Sequence, residues 1–217
     1  MRWTFGLTCA TALVGIVPSS QAADSSVYHD AETGFTFSQY NAQYAIGRTI
    51  AFRIALPSPI PANSAYDAVI QVVAPVDVGW TGLAWGGTMV YNPLSVSWAN
   101  GNSAVVSSRY ATGHATPTTY SGATYELFKT GTHVNRTHWQ YTAKCSGCTS
   151  FTSSGGRSTI LNSKGANSLA FAYSGTRPSN PSSNTSSFVV HDVTGYWNHD
   201  FSTAGNTAFT SLVAANI

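Results

Sequence analysis

Short apolar runs separated by turn-forming residues dominate the chain after residue 23. The runs are rich in β-branched and aromatic residues, and Gly, Pro, Asn and Ser return about every ten to fifteen residues, which is typical of an all-β sandwich. No segment combines helical periodicity with capping residues. We predict strands over residues 35–39, 49–55, 68–73, 80–84, 94–99, 104–109, 124–128, 138–143, 168–172 and 188–192.

Turn chemistry and loop composition indicate how the chain is organised. Asn100-Gly101 predicts a type I′ hairpin turn, because Asn and Gly accept the positive φ angles that this turn requires. Residues 174–187 are rich in Pro, Ser and Asn, which predicts a surface loop. Only about 30 residues follow this loop, too few for another domain without disulfides or metals. We therefore expect one domain over residues 24–217, without internal repeats.

Residues 1–23 have the pattern of a secretory signal peptide. Arg2 supplies a positive charge, residues 5–17 are apolar, and small residues flank Gln21 before the expected cleavage site. The apolar stretch is too short to span a bilayer, and no stretch of that length recurs. A membrane anchor is the disfavoured alternative. We expect a secreted, extracellular protein with no membrane association.

The composition excludes one class of partner. Only 8% of the residues are charged, and removal of Arg2 from the ten Lys and Arg leaves nine against eight Asp and Glu. Nucleic acids bind to concentrated basic surfaces, so this near-neutral balance argues against a nucleic-acid partner. Asn135 and Asn184 each begin an Asn-x-Ser/Thr sequon, and we predict glycosylation at both.

Two cysteines, Cys145 and Cys148, remain after the predicted leader. An even pair in a secreted protein favours a structural disulfide. Covalent haem attachment would require histidine directly after the second cysteine, where Thr149 stands. A thioredoxin-like site and a zinc site are alternatives, but the following residues do not look helical and no second Cys-x-x-Cys pair exists.

Met89 is the one methionine beyond the initiator, and its surroundings have the character of a ligand site. The preceding Gly86-Gly87 step would let the backbone approach a flat ligand. Trp80 and Trp85 add aromatic walls. A methionine usually fills a gap in a core, but a lone thioether in this setting is also a candidate axial ligand for a haem iron.

An axial partner for Met89 would be a histidine, and the chain has six. His191 ends an apolar run and precedes Asp192, which gives it a modest lead. His114 is second. The others lie near the start of the mature chain, beside a sequon or in a predicted loop: His29, His133, His138 and His199. Position along the sequence leaves the choice open.

Six blocks follow one another along nearly the whole mature chain: residues 79–89, 96–102, 106–113, 135–141, 145–148 and 188–192. In this order they resemble the cytochrome domain of fungal cellobiose dehydrogenases, a relative of the iron reductase or DOMON-like cytochromes. The resemblance implies an immunoglobulin-like antiparallel β-sandwich that carries one non-covalent b-type haem. It also implies methionine and histidine as the axial ligands.

The resemblance assigns roles to individual positions. It places Met89 and His191 as the iron ligands and implies a disulfide between Cys145 and Cys148. With both axial positions filled, such a site transfers single electrons and has no open position for oxygen.

The same resemblance also bears on a histidine, two tryptophans and a tyrosine near the expected haem. Where family members often have a tyrosine beside a haem propionate, this chain has His114, which would donate to the propionate or compete for the iron. Trp80, Trp85 and Tyr91 would limit water access, although an ordinary place in the sandwich core is an equal alternative.

The resemblance implies a flavin dehydrogenase as the electron donor and a copper-dependent lytic polysaccharide monooxygenase, or ferric iron, as the acceptor. No Gly-x-Gly-x-x-Gly fingerprint follows a predicted strand, so we expect a stand-alone, monomeric cytochrome or a fragment, and its status as an enzyme stays open.

The alternative is a carbohydrate-binding sandwich that stacks exposed aromatic rings on sugars, and such a protein would be colourless.

Overall fold

The computed structural model describes residues 24–217, so the predicted signal peptide lies outside the described residues. The strands are β1 (Ser26–His29), β2 (Thr36–Ala45), β3 (Arg48–Pro57), β4 (Ala68–Pro75), β5 (Trp80–Ala84), β6 (Leu94–Asn100), β7 (Ser103–Tyr110), β8 (Thr118–Thr119), β9 (Thr124–Leu127), β10 (His133–Val134), β11 (His138–Ser146), β12 (Ser150–Thr152), β13 (Ser158–Ile160), β14 (Ala166–Ser174), β15 (Val193–Asp200) and β16 (Gly205–Asn206). Helix α1 (Phe209–Asn216) follows them.

Two sheets form the sandwich. The eight-stranded sheet has the order β1-β2-β3-β4-β11-β10, with β9 paired to β11 and β16 paired in parallel to β3. The six-stranded sheet has the order β15-β14-β5-β6-β7-β8, and all of its pairs are antiparallel. The all-β sandwich predicted from the sequence is therefore confirmed.

The main core lies between the two sheets. Phe52 and Tyr141 of the eight-stranded sheet pack in one buried cluster with Leu83, Phe171 and Trp197 of the six-stranded sheet. Side chains alternate along each strand, so every second residue of these strands faces outward instead. Both outward faces carry further buried apolar clusters.

Helix α1 covers the outward face of the eight-stranded sheet. Its Phe209 and Val213 pack against a buried aromatic group that includes Phe35, Phe37 and Phe128. No capping side chain starts this helix. It was not predicted because its stability comes from tertiary packing, which local sequence patterns do not report.

Two local predictions need correction. The segment over residues 188–192 is irregular, and the strand begins at Val193. The ring of Phe188 lies 4.8 Å from that of Trp80, so the apolar run packs across the sheet face. In the β6–β7 hairpin, Asn100 pairs with Ser103, and Gly101 at φ +60° is the first central residue. Asn102, the second central residue, does not have a positive φ, so the turn fits type II′ and not type I′.

The disulfide prediction is confirmed. Cys145 and Cys148 are bonded across a Cα–Cα distance of 5.9 Å, and both are buried. Among residues 24–217, no helix is long and apolar enough to cross a membrane.

Candidate functional site

A cavity of about 770 Å³ opens on the outward face of the six-stranded sheet. This volume lies within the range of about 300–1,000 Å³ that is usual for small-molecule and cofactor sites. The floor consists of small residues on the neighbouring strands β5 and β14. Gly82 pairs with Ala172 and Ala84 pairs with Ala170, so the four positions lie side by side. Because none of these four side chains is larger than a methyl group, they leave space above this part of the sheet, between the flanking strands.

Bulkier residues stand on both sides of this floor. On β6, Val96 pairs with Gly82 and Leu94 with Ala84. On β15, the partners of the floor alanines are Thr194 and Tyr196. Four adjacent strands at a spacing of about 4.8 Å span about 14 Å from β15 to β6. The sheet therefore forms a trough with apolar walls.

Three loops complete the cavity and bring together the residues that the sequence singled out. Met89 comes from the loop after β5, His114 from the loop after β7, and His191 from the segment before β15. Met89 and His191 are half-buried, whereas His114 is exposed at the rim. The structure thus places both predicted axial ligands, and the alternative histidine, in the lining of one cavity.

The backbone directly after His191 is anchored through Asp192. The backbone amide of Asp192 donates to the carbonyl of Tyr173 at 2.7 Å, and its carboxylate accepts from the amide of Gly175 and the hydroxyl of Ser174, each at 2.9 Å. The hydrogen bond from Gly175, followed by that from Ser174, lowers the pKa of the Asp192 carboxyl. The chain is therefore anchored to the end of β14 directly after the histidine.

The loop that carries Met89 closes around buried Asn92. The Asn92 side-chain amide donates to the carbonyls of Thr88 at 2.5 Å and Val90 at 3.0 Å, while its oxygen accepts from the amide of Gly86 at 3.0 Å. These bonds hold the backbone on both sides of the methionine. Sequence reasoning did not identify Asn92, although it directly precedes Pro93 and Asn-Pro is a turn signal.

The Gly86-Gly87 step has a different role from the one expected. A Cβ at Gly86 would lie 2.8 Å from the Cβ of Asn92, and one at Gly87, where φ is +76°, would lie 2.5 Å from the hydroxyl of Ser168. Neither glycine lines the cavity. The step is needed for the tight turn and its packing against β14, not for approach to a ligand.

The aromatic residues divide between the cavity and the core. Trp80 lines the cavity, and its indole nitrogen is buried without a hydrogen-bond partner. Trp85 lies five positions further along the chain, so its side chain points to the opposite face of the sheet. It is in the main core, where its indole donates to the hydroxyl of Ser95 at 2.8 Å. Tyr91 is not part of the lining either.

Several lining residues were missed from the sequence. They include Tyr196 of β15 and the floor residues Ala170 and Ala172. The alternation of small residues in Gly82-Leu83-Ala84 and Ala170-Phe171-Ala172 is a signal for such a floor, because the bulky middle residues point into the core.

The lining is apolar and almost free of charge. Of the residues around the cavity, none is Asp, Glu, Lys or Arg. Among residues 24–217, no group of three or more His, Cys, Asp or Glu side chains is arranged to hold a metal ion. The donors present are a thioether and imidazoles, the pair that holds many electron-transfer haems. An apolar trough with such donors, and the unpartnered indole of Trp80, fits a haem.

Both predicted glycosylation sites are on the surface. Asn135 is exposed in the turn before β11, where its side chain accepts hydrogen bonds from the backbone amides of Thr137 and His138. Asn184 is exposed in the long loop before His191. Glycosylation of either residue stays a prediction.

Comparisons with known proteins agree with this geometry. The family model for the cytochrome domain of cellobiose dehydrogenase matches residues 28–211. Two relatives, both pyrroloquinoline quinone-dependent pyranose dehydrogenases from Coprinopsis cinerea, are 28% identical over 199 residues. The alignment covers 90% of this chain but only 26% of those proteins, so the chain spans about a quarter of their length.

Two solved structures share the fold. The cytochrome b domain of pyranose dehydrogenase from Coprinopsis cinerea superposes with a TM-score of 0.75 at 25% identity, covering 89% of this chain and 95% of that one. The cytochrome domain of Myriococcum thermophilum cellobiose dehydrogenase gives a TM-score of 0.80 at 23% identity, covering 91% and 98%. This chain therefore belongs to the family of cellobiose dehydrogenase cytochrome domains, a family of electron-transfer modules.

Proposed function

We propose that this chain is a secreted electron-transfer cytochrome that binds one non-covalent b-type haem in the cavity, with Met89 and His191 as axial ligands. The observation that carries the proposal is that both side chains line one apolar cavity of about 770 Å³. When bound, such a haem exchanges single electrons between its ferric and ferrous states, and a methionine ligand tends to raise its reduction potential.

The surrounding residues would support this site in distinct ways. The floor of Gly82, Ala84, Ala170 and Ala172 leaves space for a macrocycle and offers it an apolar, water-poor surface. The anchored carboxylate of Asp192 limits the movement of His191. Because the backbone is anchored directly after His191, its imidazole has fewer positions available.

His114 has a separate proposed role at the rim. It lines the cavity and is exposed, as expected for a group that meets the polar edge of a bound haem. Its imidazole would donate a hydrogen bond to a propionate. In this arrangement His114 orients the cofactor and does not bind the iron.

The proposal extends to redox partners. The relatives from Coprinopsis cinerea are named as pyranose dehydrogenases, so a sugar dehydrogenase with flavin or quinone chemistry is the donor that we propose. Copper-dependent lytic polysaccharide monooxygenases or ferric iron are the acceptors. Val190 and Tyr196, exposed by 77% and 70%, flank the cavity and offer an apolar surface to either partner. The predicted leader over residues 1–23 supports secretion.

Met89→Leu tests the methionine ligand. Leucine keeps the apolar volume and removes the thioether, so the iron should lose one axial bond. We expect the hemin-loaded variant to show a changed Soret band, binding of added carbon monoxide and a lower reduction potential than wild type. An unchanged spectrum and potential would contradict the assignment of Met89.

Replacement of each cavity histidine by alanine tests the other ligand. His191→Ala should weaken hemin binding by more than about 100-fold, because it removes an iron bond and not a supporting contact. His114→Ala should retain hemin with a six-coordinate spectrum. The reverse result, with hemin lost from His114→Ala alone, would show that His114 is the ligand.

A further inference from the structure

Arg109 is a buried cation directly behind the cavity wall. It lies on β7 with 4% of its surface exposed, and it pairs in register with Leu94 of the wall. Its guanidinium carbon lies 5.2 Å from the centre of the Phe188 ring, and Phe188 also lines the cavity. Arg109 is therefore separated from the cavity by single side chains.

The guanidinium joins β7 to two loops. It donates to the carbonyl of Pro117 at 3.3 Å in the loop after β7. It also donates to the carbonyls of Asn184 at 3.2 Å and Ser186 at 2.6 Å in the loop before β15. Its Nε donates to the hydroxyl of Ser107 on its own strand at 2.6 Å. One side chain thus ties together the two loops that carry the cavity histidines.

All of these acceptors are neutral. None of the ion pairs among residues 24–217 includes Arg109, whereas Arg48 pairs with Asp77 and Lys144 with Glu126. Burial lowers the pKa of Arg109, but a guanidinium stays protonated in proteins. A buried charge without a counter-ion is unfavourable for folding alone, so its place beside the cavity calls for a function.

We propose that Arg109 is a positioning residue that clamps the loops of His114 and His191 and holds an unneutralised positive charge beside the cavity. The charge stabilises a bound anionic group and favours its reduced state, since reduction adds negative charge. This inference rests on the proposed haem function for its electrostatic part, while the clamp is a property of the chain alone.

Three variants separate the clamp from the charge. Arg109→Met removes both the hydrogen bonds and the charge. Arg109→Lys keeps the charge but loses the planar fork that reaches several carbonyls at once. Arg53→Met is the matched control: Arg53 is a half-buried arginine that is bound by Gln39 and Gln71 on the opposite sheet, far from the cavity in the fold.

The clamp is tested by amide hydrogen exchange in the hemin-free proteins. In Arg109→Met, amides in residues 111–117 and 175–191 should exchange at least about tenfold faster than in wild type, because several charge-assisted hydrogen bonds are lost. Arg53→Met should leave both loops unchanged. Equal exchange in wild type and Arg109→Met would overturn the clamp, whether or not hemin binds.

The charge is tested by spectroelectrochemistry of the hemin-loaded proteins. Arg109→Met should have a lower reduction potential than wild type, and Arg109→Lys should restore most of the difference although its loops exchange faster. Equal potentials in Arg109→Met and Arg109→Lys would overturn the electrostatic role. Failure of wild type to bind hemin would instead contradict the proposed function, and the exchange result would still decide the clamp.

Discussion

The outward faces of the two sheets differ in what covers them. On the eight-stranded sheet, Phe35 and Phe128 are sealed under Phe209 of helix α1, and all three rings are buried. On the six-stranded sheet, small floor residues lie between bulkier apolar neighbours and leave a cavity of about 770 Å³, with Val190 and Tyr196 largely exposed at its edge. Both faces are apolar, but only one of them is filled by the protein itself.

This difference shows how a ligand site is recognised in a sandwich. An apolar face filled by the chain's own aromatic rings contributes to folding, and large exposed apolar surface on a monomer normally marks a binding site. The open face also contains a lone thioether and two imidazoles. The comparison therefore supports a stabilising role for the filled face and agrees with the proposed cofactor site on the open face.

The largest expected effect comes from truncating one ring on each face. Phe35 is fully buried and contacts three other phenylalanine rings at 5.7–6.1 Å. Phe35→Ala should therefore lower the free energy of unfolding by about 3–5 kcal/mol. Phe188→Ala should lower it by only about 1–2 kcal/mol, the scale of its lost contacts with Trp80 and Arg109. Urea unfolding of the hemin-free proteins measures both values.

The same two variants should show the opposite order of effects on hemin affinity. Phe188→Ala should weaken hemin binding, whereas Phe35→Ala, where still folded, should bind hemin with wild-type affinity. A loss of folding stability in Phe188→Ala as large as that in Phe35→Ala would show that the two faces do not differ in role.

Low pH should destabilise the folded protein through His199 of strand β15. This residue was predicted to lie in a loop, but it is fully buried on β15, where it accepts from the Trp197 indole at 2.9 Å and donates to the Ser38 carbonyl at 3.1 Å. Burial lowers the pKa of His199 from 6.5 to about 4.

Between about pH 6.5 and pH 4 the unfolded chain binds a proton at His199 that the folded chain does not. The free energy of unfolding should therefore fall by about 3 kcal/mol as the pH drops through this window, and this residue should add nothing to the pH dependence above it. Urea titrations at several pH values measure the slope. His199→Gln should lose this part of the slope, and an unaltered slope in that variant would contradict the assignment.

The smallest effects should come from enlarging one alanine on each face. Ala172→Leu adds volume to the cavity floor, and Ala55→Leu adds it to the filled cluster beside Phe35. Overpacking at Ala55 should lower the free energy of unfolding by about 1–3 kcal/mol with hemin binding unchanged. In Ala172→Leu the added side chain should clash only with bound hemin, and the affinity for hemin should fall by about 5- to 150-fold. Equal hemin affinities would contradict the placement of the site on this floor.

Sequence patterns predicted the framework well because strands have a simple period. Every predicted strand except that over residues 188–192 is present, with ends shifted by up to six residues, but β15 and the shorter strands β1, β8, β10, β12, β13 and β16 were not predicted. The period of two also explains the error at Trp85, whose position five residues after Trp80 places it in the core. Helix α1 and the buried place of His199 depend on contacts between segments far apart in the sequence, which local patterns do not encode.

The candidate site was predicted in part. Met89, His191, His114 and Trp80 all line the cavity, but the choice among the histidines came from family resemblance and not from spacing. The floor alanines and the supporting bonds of Asn92 and Arg109 were not foreseen. They become visible only when the register of the strands and the paths of the loops are known.

The absorption spectrum of the purified chain after addition of hemin tests the central claim most directly. We predict a sharp Soret band and split visible bands on reduction, as a six-coordinate haem with methionine and histidine ligands should give. Acidified acetone should extract all of the haem, because Cys145 and Cys148 are joined in a disulfide and histidine does not follow the second cysteine, as covalent attachment would require. A protein that stays colourless when hemin is added and excess hemin is removed would contradict the assignment of the cavity as a haem site.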